Sequence, residues 1–117
     1  MLRVFEISID DIIIDPKAAS ERLNRTLIRG NGQLQVVGMC SDHQRIYLSL
    51  LPAAGGPVHA YRFAELCEFE RDSVPTAMAE RYYNGFITIG TFFTTQRIWA
   101  LFYNDIPGQT RQETPQI

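Results

Sequence analysis

Apolar and polar residues alternate in two successive stretches of the chain, and each stretch predicts a strand, a helix and a β-hairpin. The first stretch opens with "LRVFEISID", in which Phe5, Ile7 and Ile9 are separated by polar residues. This two-residue period is typical of a strand that is buried on one face. The apolar run at residues 12–14 then ends at Asp15 and Pro16.

The segment "PKAASERLNRTLIRG" predicts the first helix. Asp15 offers a side-chain acceptor at the N-cap, and Pro16 suits the first turn because its missing N–H needs no partner there. Gly30 is expected to end the helix as a C′ glycine. The residues that recur at helical spacing, and are therefore expected to be buried, are Ala19, Leu23, Leu27 and Ile28.

Two strands are predicted after this helix. They are "QLQVVGMCS" and "RIYLSLL", joined by the polar turn Asp42-His43-Gln44. Residues 53–57 lie within "PAAGGP" and predict a linker, because glycine and proline interrupt regular structure. The first repeat therefore covers residues 1–52 in the order βαββ.

The same order returns in residues 58–104. "VHAYRFAELCEF" predicts a strand, and "ERDSVPTAMAERYYNG" predicts a helix that Ser73 caps and Gly85 ends. The strands "FITIGTFF" and "RIWALFY" follow around a turn at residues 94–96. The tail, residues 105–117, is polar, contains two prolines and predicts no regular structure by itself.

The two stretches share residue types at matching positions. "VVGMCSDHQRIY" aligns without a gap with "TIGTFFTTQRIW", so Gln-Arg-Ile recurs and Tyr47 matches Trp99. Agreement in both helix and hairpin predicts an internal duplication of two βαββ units. Matching residues are farther apart in sequence in the helices than in the hairpins. The second helix, or the segment that leaves it, is therefore expected to be about two turns shorter than the first. The matching helix residues are Pro16/Pro75, Ala18/Ala77, Glu21/Glu80 and Arg22/Arg81.

We therefore predict one α+β domain, in which an antiparallel sheet carries two helices on one face and the units pack about a pseudo-two-fold axis. Two helices cannot easily cover both faces of such a sheet. The uncovered face is expected either to curl into a barrel-like core or to meet another subunit, and a homo-oligomer (a dimer or larger) is favoured. The last strand is apolar on both faces, with Ile98, Ala100 and Phe102 opposite Trp99, Leu101 and Tyr103.

This order of strand, helix and hairpin, with a glycine that ends the helix and an aromatic-rich last strand, resembles small uncharacterised βαββ domains of bacteria. It is also similar to the ferredoxin-like and dimeric α+β-barrel architectures. The likeness covers most of the chain and implies a fold, but no shared motif accompanies it. It therefore assigns no site residue.

Composition narrows the classes of function. The net charge of −2 gives no electrostatic basis for nucleic-acid binding, and no apolar run is long enough to cross a bilayer. The start "MLRVFEISIDD" does not resemble a signal peptide, so a soluble cytoplasmic protein is expected. Cys40 and Cys67 lie in apolar segments and are interpreted as small buried hydrophobic residues, with a disulfide or redox pair as the alternative.

The repeated Gln-Arg pair is the first candidate for chemistry. Arg45 and Arg97 each lie beside a turn and an aromatic residue, which suits recognition of a carboxylate or phosphate. Tyr47, Trp99 and Tyr61 are the candidate walls of such an anion site. The alternative is that each arginine opens a strand and faces solvent.

No metal, cofactor or catalytic motif is predicted. His43 and His59 have no ligand spacing around them, and a metal site that joins them to Asp42 and Glu65 would require an accident of folding. Glu65 is nominally on the same apolar face as Cys67, where its pKa could be raised for general acid–base work. Pairing with an arginine, or a bulge that turns it outward, is the alternative.

Two hypotheses of function remain from the sequence. The favoured one is a non-enzymatic module that oligomerises or binds a protein partner, supported by the excess of apolar strand surface. The other is a small-molecule binding protein or small enzyme with a pocket between the two βαββ halves. Neither hypothesis includes nucleic acid, a membrane or a cofactor among the partners.

Overall fold

The computed structural model describes residues 2–29, 32–53, 60–68 and 73–104. The tail at 105–117, most of the linker at 53–57, Gly30 and His59 lie outside these ranges, so the predictions made for them stay predictions. The described elements, in chain order, are β1 (Arg3–Ser8), α1 (Ile9–Ile14), α2 (Pro16–Leu27), β2 (Ile28–Arg29), β3 (Gly32–Ser41), β4 (Arg45–Pro52), β5 (Tyr61–Glu68), α3 (Val74–Tyr83), β6 (Phe86–Phe93) and β7 (Arg97–Asn104).

The helix α1 is an element that the sequence pattern did not predict. Ser8 ends β1, and its side chain accepts a hydrogen bond from the backbone N–H of Asp11 at 3.0 Å, which makes it an N-cap. The acidic residues in the first turn interact favourably with the positive end of the helix dipole. Ile9 and Ile12 are buried on this helix, so apolar residues that were expected in or after a strand form a helical turn.

The two predicted helices begin where their caps were expected. The Asp15 side chain accepts from the N–H of Ala18 at 3.1 Å, and the Ser73 side chain accepts from the N–H of Thr76 at 3.3 Å. Gly85 follows the end of α3 with a φ of 94°, a left-handed conformation that favours glycine. These caps confirm the start of both helices and the end of α3.

The two helices leave their units differently. The stripe of α2 was expected to include Ile28, but Ile28 is 63% exposed and lies in β2, which pairs with the start of β3. In the second unit β6 begins directly after Gly85, so no strand there corresponds to β2. The expected shortening of the second helix or its exit is therefore found mostly at the exit, since α2 has 12 residues and α3 has 10.

The strands form two antiparallel sheets where the sequence predicted one. Sheet one has the order β1-β4-β3-β2 and sheet two has the order β5-β7-β6. In each unit the last strand is therefore central, with the first strand on one side of it. Each long middle strand also has a register shift just before a glycine, between Val36 and Gly38 in β3 and between Thr88 and Gly90 in β6.

The main core lies between sheet one, α2 and one face of sheet two. Sheet one contributes the face that carries Ile46, Leu48 and Leu50, which we call its inner face. Sheet two contributes the face of Leu101, against which Trp99 and Tyr103 are partly buried. Ala19, Leu23 and Leu27 of α2 complete this core. The Trp99 face of sheet two, which was expected to need a second subunit, is therefore covered by the first half of the same chain.

A second, smaller core lies on the opposite face of sheet two. It joins Ile98, Ala100 and Phe102 to Ala77 of α3. The prediction of two helices on one face of a common sheet is therefore replaced by α2 in the central core and α3 on the far side of sheet two. Tyr47 of β4 aligns in sequence with Trp99 of β7. The Trp99 face of sheet two meets the main core, whereas sheet one meets it with the face opposite Tyr47, so the core uses opposite faces of the two sheets. A two-fold axis would use the same face twice, so the units are not related in that way.

Strands β3 and β6 approach each other closely where the two sheets meet. A Cβ atom built on Gly90 would lie 2.7 Å from the Sδ atom of Met39, well inside van der Waals contact. At the matching Gly38, the nearest atom is the Oγ of Ser49 at 3.6 Å, which is an ordinary contact. Glycine at position 90 therefore lets the two sheets pack against each other.

Candidate functional site

Helix α2 of the first unit lies along the free edge of β5 in the second. The Asn24 amide accepts from the N–H of Tyr61 and donates to its C=O, both at 2.9 Å. One turn earlier, the Ser20 hydroxyl accepts from the N–H of Phe63 at 2.9 Å and donates to the C=O of Pro16 at 2.6 Å. These side chains take the place of a neighbouring strand and satisfy backbone groups that an edge would otherwise leave open.

The space beside this contact is the α2–β5 groove, a cavity of about 510 Å³. Its volume falls in the range of small-molecule pockets. One wall is the α2 surface that carries Lys17 and Glu21, and the other includes Arg62 and Phe86. Three hydrogen bonds fix α2 to β5 and so hold the two walls of the groove in place.

Two of the five predicted ligand residues line this groove, Tyr61 and Trp99. Tyr61 is buried, and its hydroxyl accepts a hydrogen bond from the N–H of Val36 at 3.1 Å. Burial raises the pKa of the Tyr61 phenol, so it stays neutral at physiological pH. Trp99 stacks on Phe92, with ring centroids 6.4 Å apart, and is only partly buried.

The two predicted arginine anchors are not among the residues that line the groove; each forms an ion pair with a glutamate. Arg97 Nη1 lies 2.5 Å from Glu65 Oε2, and Arg45 Nη1 lies 3.4 Å from Glu6 Oε2. The hydrogen bond to Glu65 raises the pKa of Arg97 further above its ordinary value. Side chains at both pairs are about half exposed, so each pair stabilises the fold weakly.

The fifth predicted residue, Tyr47, belongs to the hairpin turn of the first unit. Its hydroxyl donates to Asp42 Oδ2 at 3.2 Å, while Asp42 Oδ1 accepts from the N–H groups of Gln44 and Arg45 at 2.7 Å each. These backbone hydrogen bonds hold the pKa of Asp42 below its usual value. Desolvation and the Asp42 carboxylate raise the pKa of Tyr47. This arrangement shapes a turn.

Glu65 is paired and followed by a bulge, so both alternatives to an acid–base role are present. The register between β5 and β7 shifts between Glu65 and Cys67, so Leu66 is the extra residue. Glu65 consequently lies opposite Trp99, whereas Cys67 is buried in the α3 core. The expectation that these two side chains share a face is wrong because the alternation of faces is broken at Leu66.

Sheet one has a second face, which we call its outer face and which points away from the main core. It comprises Val4, Glu6, Gln35, Val37, Cys40, Tyr47, Ser49 and Leu51, by alternation with the inner residues. Val4 is 62% exposed, Val37 49% and Leu51 36%. The buried residues of all three described helices belong to the cores on the other faces. Within the described part of the chain, no helix covers this surface.

The burial predicted for the two cysteines and for His43 is confirmed for some of these residues and wrong for one. Cys67 is buried as expected, but Cys40 is exposed because it lies on the outer face. His43 is exposed in the turn, as the simplest interpretation predicted. Over the described residues, no group of three or more His, Cys, Asp or Glu side chains is arranged to hold a metal ion. None of the described helices is long and apolar enough to cross a membrane.

Sequence reasoning missed two features of these surfaces. Ser20 and Asn24 were treated as polar positions of a helix, although their i, i+4 spacing on the apolar side of α2 was a visible signal of a buried polar contact. Glu6 was not matched with Glu65, although each lies opposite the aromatic residue of its central strand, Tyr47 or Trp99.

A scan against protein-family models finds no match to this chain, and searches of the curated proteins and of the solved structures find none either. The chain is thus a small α+β domain whose function has to be argued from its own surfaces.

Proposed function

We propose that this chain is a self-associating module, in which the outer face of sheet one binds the outer face of a second copy to give a homodimer. The observation that supports this most is the contrast between the two sheets. The Trp99 face of sheet two packs against the first half of the chain, whereas the matching Tyr47 face of sheet one carries the exposed Val4, Val37 and Leu51.

The contrast gains weight if the chain is an internal duplication, which we include in the proposal. Several matched features support it: the order of the three long strands, the bulge before Gly38 and Gly90, and an arginine–glutamate pair beside each hairpin. The turns also match, since the N–H of Asp42 donates to the C=O of Arg45 at 3.1 Å and that of Thr94 to Arg97 at 3.0 Å. Two copies of one unit then present the same kind of face, and only one copy has its face covered.

The exposed face has the chemistry of an interface. Val4, Val37 and Leu51 form its apolar part, and Tyr47 adds an aromatic ring whose hydroxyl is already hydrogen-bonded. Isolated apolar residues are common on protein surfaces, but several on one sheet face are typical of a docking surface.

The charges of this face favour a second copy over a charged partner. Glu6 and Arg45 lie on it and pair with each other, so the face presents no excess of either sign from these residues. A two-fold axis places identical surfaces together, and a face with unpaired charge would repel itself. Two sheets packed face to face about 10 Å apart would bury the apolar side chains of both copies.

A cytoplasmic location forms part of this proposal. Cys40 is a free thiol exposed on the docking face, and a reducing compartment keeps such a thiol from forming disulfides. A partner-binding module of this kind needs no catalytic group, which accords with the structural roles that Arg45, Arg97 and Glu65 have in the two hairpins.

The proposal is tested by sedimentation equilibrium of the purified chain and of two variants. We expect wild-type protein to sediment at twice the 13.4 kDa mass of one chain. Val4→Arg places a charge among the apolar residues of the outer face, on its edge strand β1, and should give a monomer. Ile14→Arg is the matched control, because Ile14 is 81% exposed on α1, away from the outer face, and should leave the dimer intact.

Each outcome has a defined meaning. A wild-type chain that stays monomeric over about micromolar to millimolar concentration contradicts the proposal. A dimer that Val4→Arg leaves unchanged, or that Ile14→Arg disrupts, places the interface elsewhere and also contradicts it. Circular dichroism of both variants establishes that the monomer is folded.

A further inference from the structure

We propose that the α2–β5 groove binds a small aromatic molecule that carries one negative charge. The groove lies on the side of the chain formed by α2 and sheet two, whereas the proposed dimer face is on sheet one. The two proposals therefore stand on different residues and can fail separately.

The groove runs along the strand because of the way α2 is attached. Asn24 bonds to Tyr61 and Ser20 bonds to Phe63, so the start of α2 lies beside Glu65. The stretch of β5 from Tyr61 to Glu65 is about 13 Å long, since a strand rises about 3.3 Å per residue. An elongated molecule of two or three fused or linked rings matches this length better than a small inorganic ion does.

Aromatic side chains provide flat apolar surface within the groove. Phe86 lines it and also packs edge to face on Phe102, with centroids 6.3 Å apart, so its ring is held in place. Trp99 lines it from the central strand of sheet two and is held by its stack on Phe92. The two rings lie on opposite faces of sheet two, on either side of the β5 edge, so a planar ligand in the groove stacks on one of them, and a ring fixed in this way loses little side-chain freedom on binding.

The charges of the lining favour an anion. Four charged residues line the groove: Lys17, Glu21, Arg62 and Glu65. The carboxylate of Glu65 is already bound to Arg97, which does not line the groove, so its charge is matched from outside. Two cations and one carboxylate then remain for a ligand, and a net charge of one positive unit is complementary to a monoanion.

Neither cation is committed to a carboxylate of the described residues. The described ion pairs of arginines with acids use Arg22, Arg45 and Arg97. Arg62 instead lies over the ring of Phe86, 5.1 Å from the ring centroid. A carboxylate beside this ring could accept hydrogen bonds from the guanidinium while the aromatic part of the ligand stacks.

The sequence contains a single tryptophan, and it lines the groove. The indole N–H of Trp99 therefore gives one resolved signal in a ¹H–¹⁵N spectrum, and its shift reports occupancy directly. We choose three probes that share one ring system and differ in charge: indole-3-acetate, the neutral indole-3-ethanol and the cationic tryptamine.

We expect indole-3-acetate to shift the Trp99 signal saturably and to bind at least about fivefold more tightly than indole-3-ethanol, with tryptamine weakest. Arg62→Gln or Lys17→Gln should reduce the preference of acid over alcohol to less than about twofold. Arg25→Gln is the matched control on the same helix, since Arg25 is exposed and does not line the groove, and it should leave the preference unchanged.

A blocking variant separates binding in the groove from binding elsewhere. Ala60→Phe adds a bulky ring at an exposed residue of the groove lining without adding a second indole, and it should abolish the response to indole-3-acetate while the urea midpoint of the chain stays within the range of the other variants. If that variant does not fold, the Arg62 and Lys17 variants still decide the question.

Three results would overturn the proposal. One is a Trp99 signal that no probe moves at about 5 mM. Another is equal affinity for the acid and the alcohol, and the third is tightest binding of tryptamine. None of them depends on whether the chain is a monomer or a dimer.

Discussion

Tyr47 and Trp99 occupy the same position in the central strands of two sheets with matching strand order, yet Trp99 faces the main core and Tyr47 faces away from it. Each aromatic residue lies opposite a glutamate on the neighbouring strand, and that glutamate pairs with the arginine two residues before the aromatic one. The two units share the order of their long strands, although α1 and β2 have no counterpart among the described residues of the second unit, and they differ in which face of the sheet meets the main core. The outer face of sheet one, with the exposed Val4 and Leu51, is left outside that core.

Replacing Asn24 with alanine should destabilise the chain by about 1–3 kcal/mol, because it leaves the partly buried N–H and C=O of Tyr61 without their partner. Urea unfolding followed by circular dichroism measures this change. Thr26→Ala is the control, since the Thr26 hydroxyl bonds only within its own helix, and it should change stability by no more than about 0.5 kcal/mol. Equal effects of the two substitutions would mean that the contact between α2 and β5 contributes little.

The local elements of this fold could be predicted from sequence because their causes are local. Asp15, Ser73 and Gly85 act within one helical turn, and each has the predicted role. The turn at Asp42 likewise depends on neighbouring backbone groups. Alternation and capping rules operate over a few residues, which is the distance over which a single sequence is informative.

The arrangement of the units could not be predicted, because it depends on contacts between distant residues. Ser20 and Phe63 are far apart in the chain, and their hydrogen bond places α2 at the edge of β5. Each central strand is apolar on both faces, so the pattern does not say which face meets the core. For the candidate site, Tyr61 and Trp99 were identified as groove walls, but the groove itself needs α2 beside β5.

Gly90→Ala should destabilise the chain by about 1–2 kcal/mol relative to Gly38→Ala, because only the first substitution drives a methyl group into Met39. Gly38 has room for the added methyl group, so Gly38→Ala should be neutral or slightly stabilising. Thermal or urea unfolding of both variants gives the comparison.

Met39→Ala tests whether contact with Met39 is the reason for the lower stability of Gly90→Ala. If the clash with Met39 is the reason, the cost of Gly90→Ala should be much smaller in a Met39→Ala background, and the double-mutant cycle should show strong coupling. An unchanged cost would show that the effect arises from the strand backbone and not from the contact between sheets.

The Asp42 turn should make stability depend on pH in the acid range. The hydrogen bonds from the N–H groups of Gln44 and Arg45 hold the pKa of Asp42 below its ordinary value, so the contribution of Asp42 to stability is present above that ordinary value and is lost as the pH falls through the folded-state pKa. Titration of the Asp42 carboxyl carbon by NMR should give a midpoint below 3.8. A midpoint at or above this value would contradict the hydrogen bonds from Gln44 and Arg45.

Asp42→Asn separates this titration from the geometry of the turn. Asparagine keeps a side-chain oxygen for the backbone N–H groups but does not titrate. The variant should therefore lose less unfolding free energy than wild type between about pH 5 and pH 2. A pH dependence identical to that of wild type would assign the acid sensitivity to other carboxylates.

The outer face of sheet one carries its own reporter, Cys40, while Cys67 is buried on the far side of sheet two. The most direct test of self-association through this face is the rate of maleimide labelling of Cys40 across a dilution series, with Cys67 as the internal reference. We predict slow labelling at high protein concentration that rises on dilution to the rate of the Val4→Arg variant, while Cys67 stays slow throughout. A Cys40 rate that is independent of concentration and equal to that of Val4→Arg would contradict the proposal that a second copy covers this face.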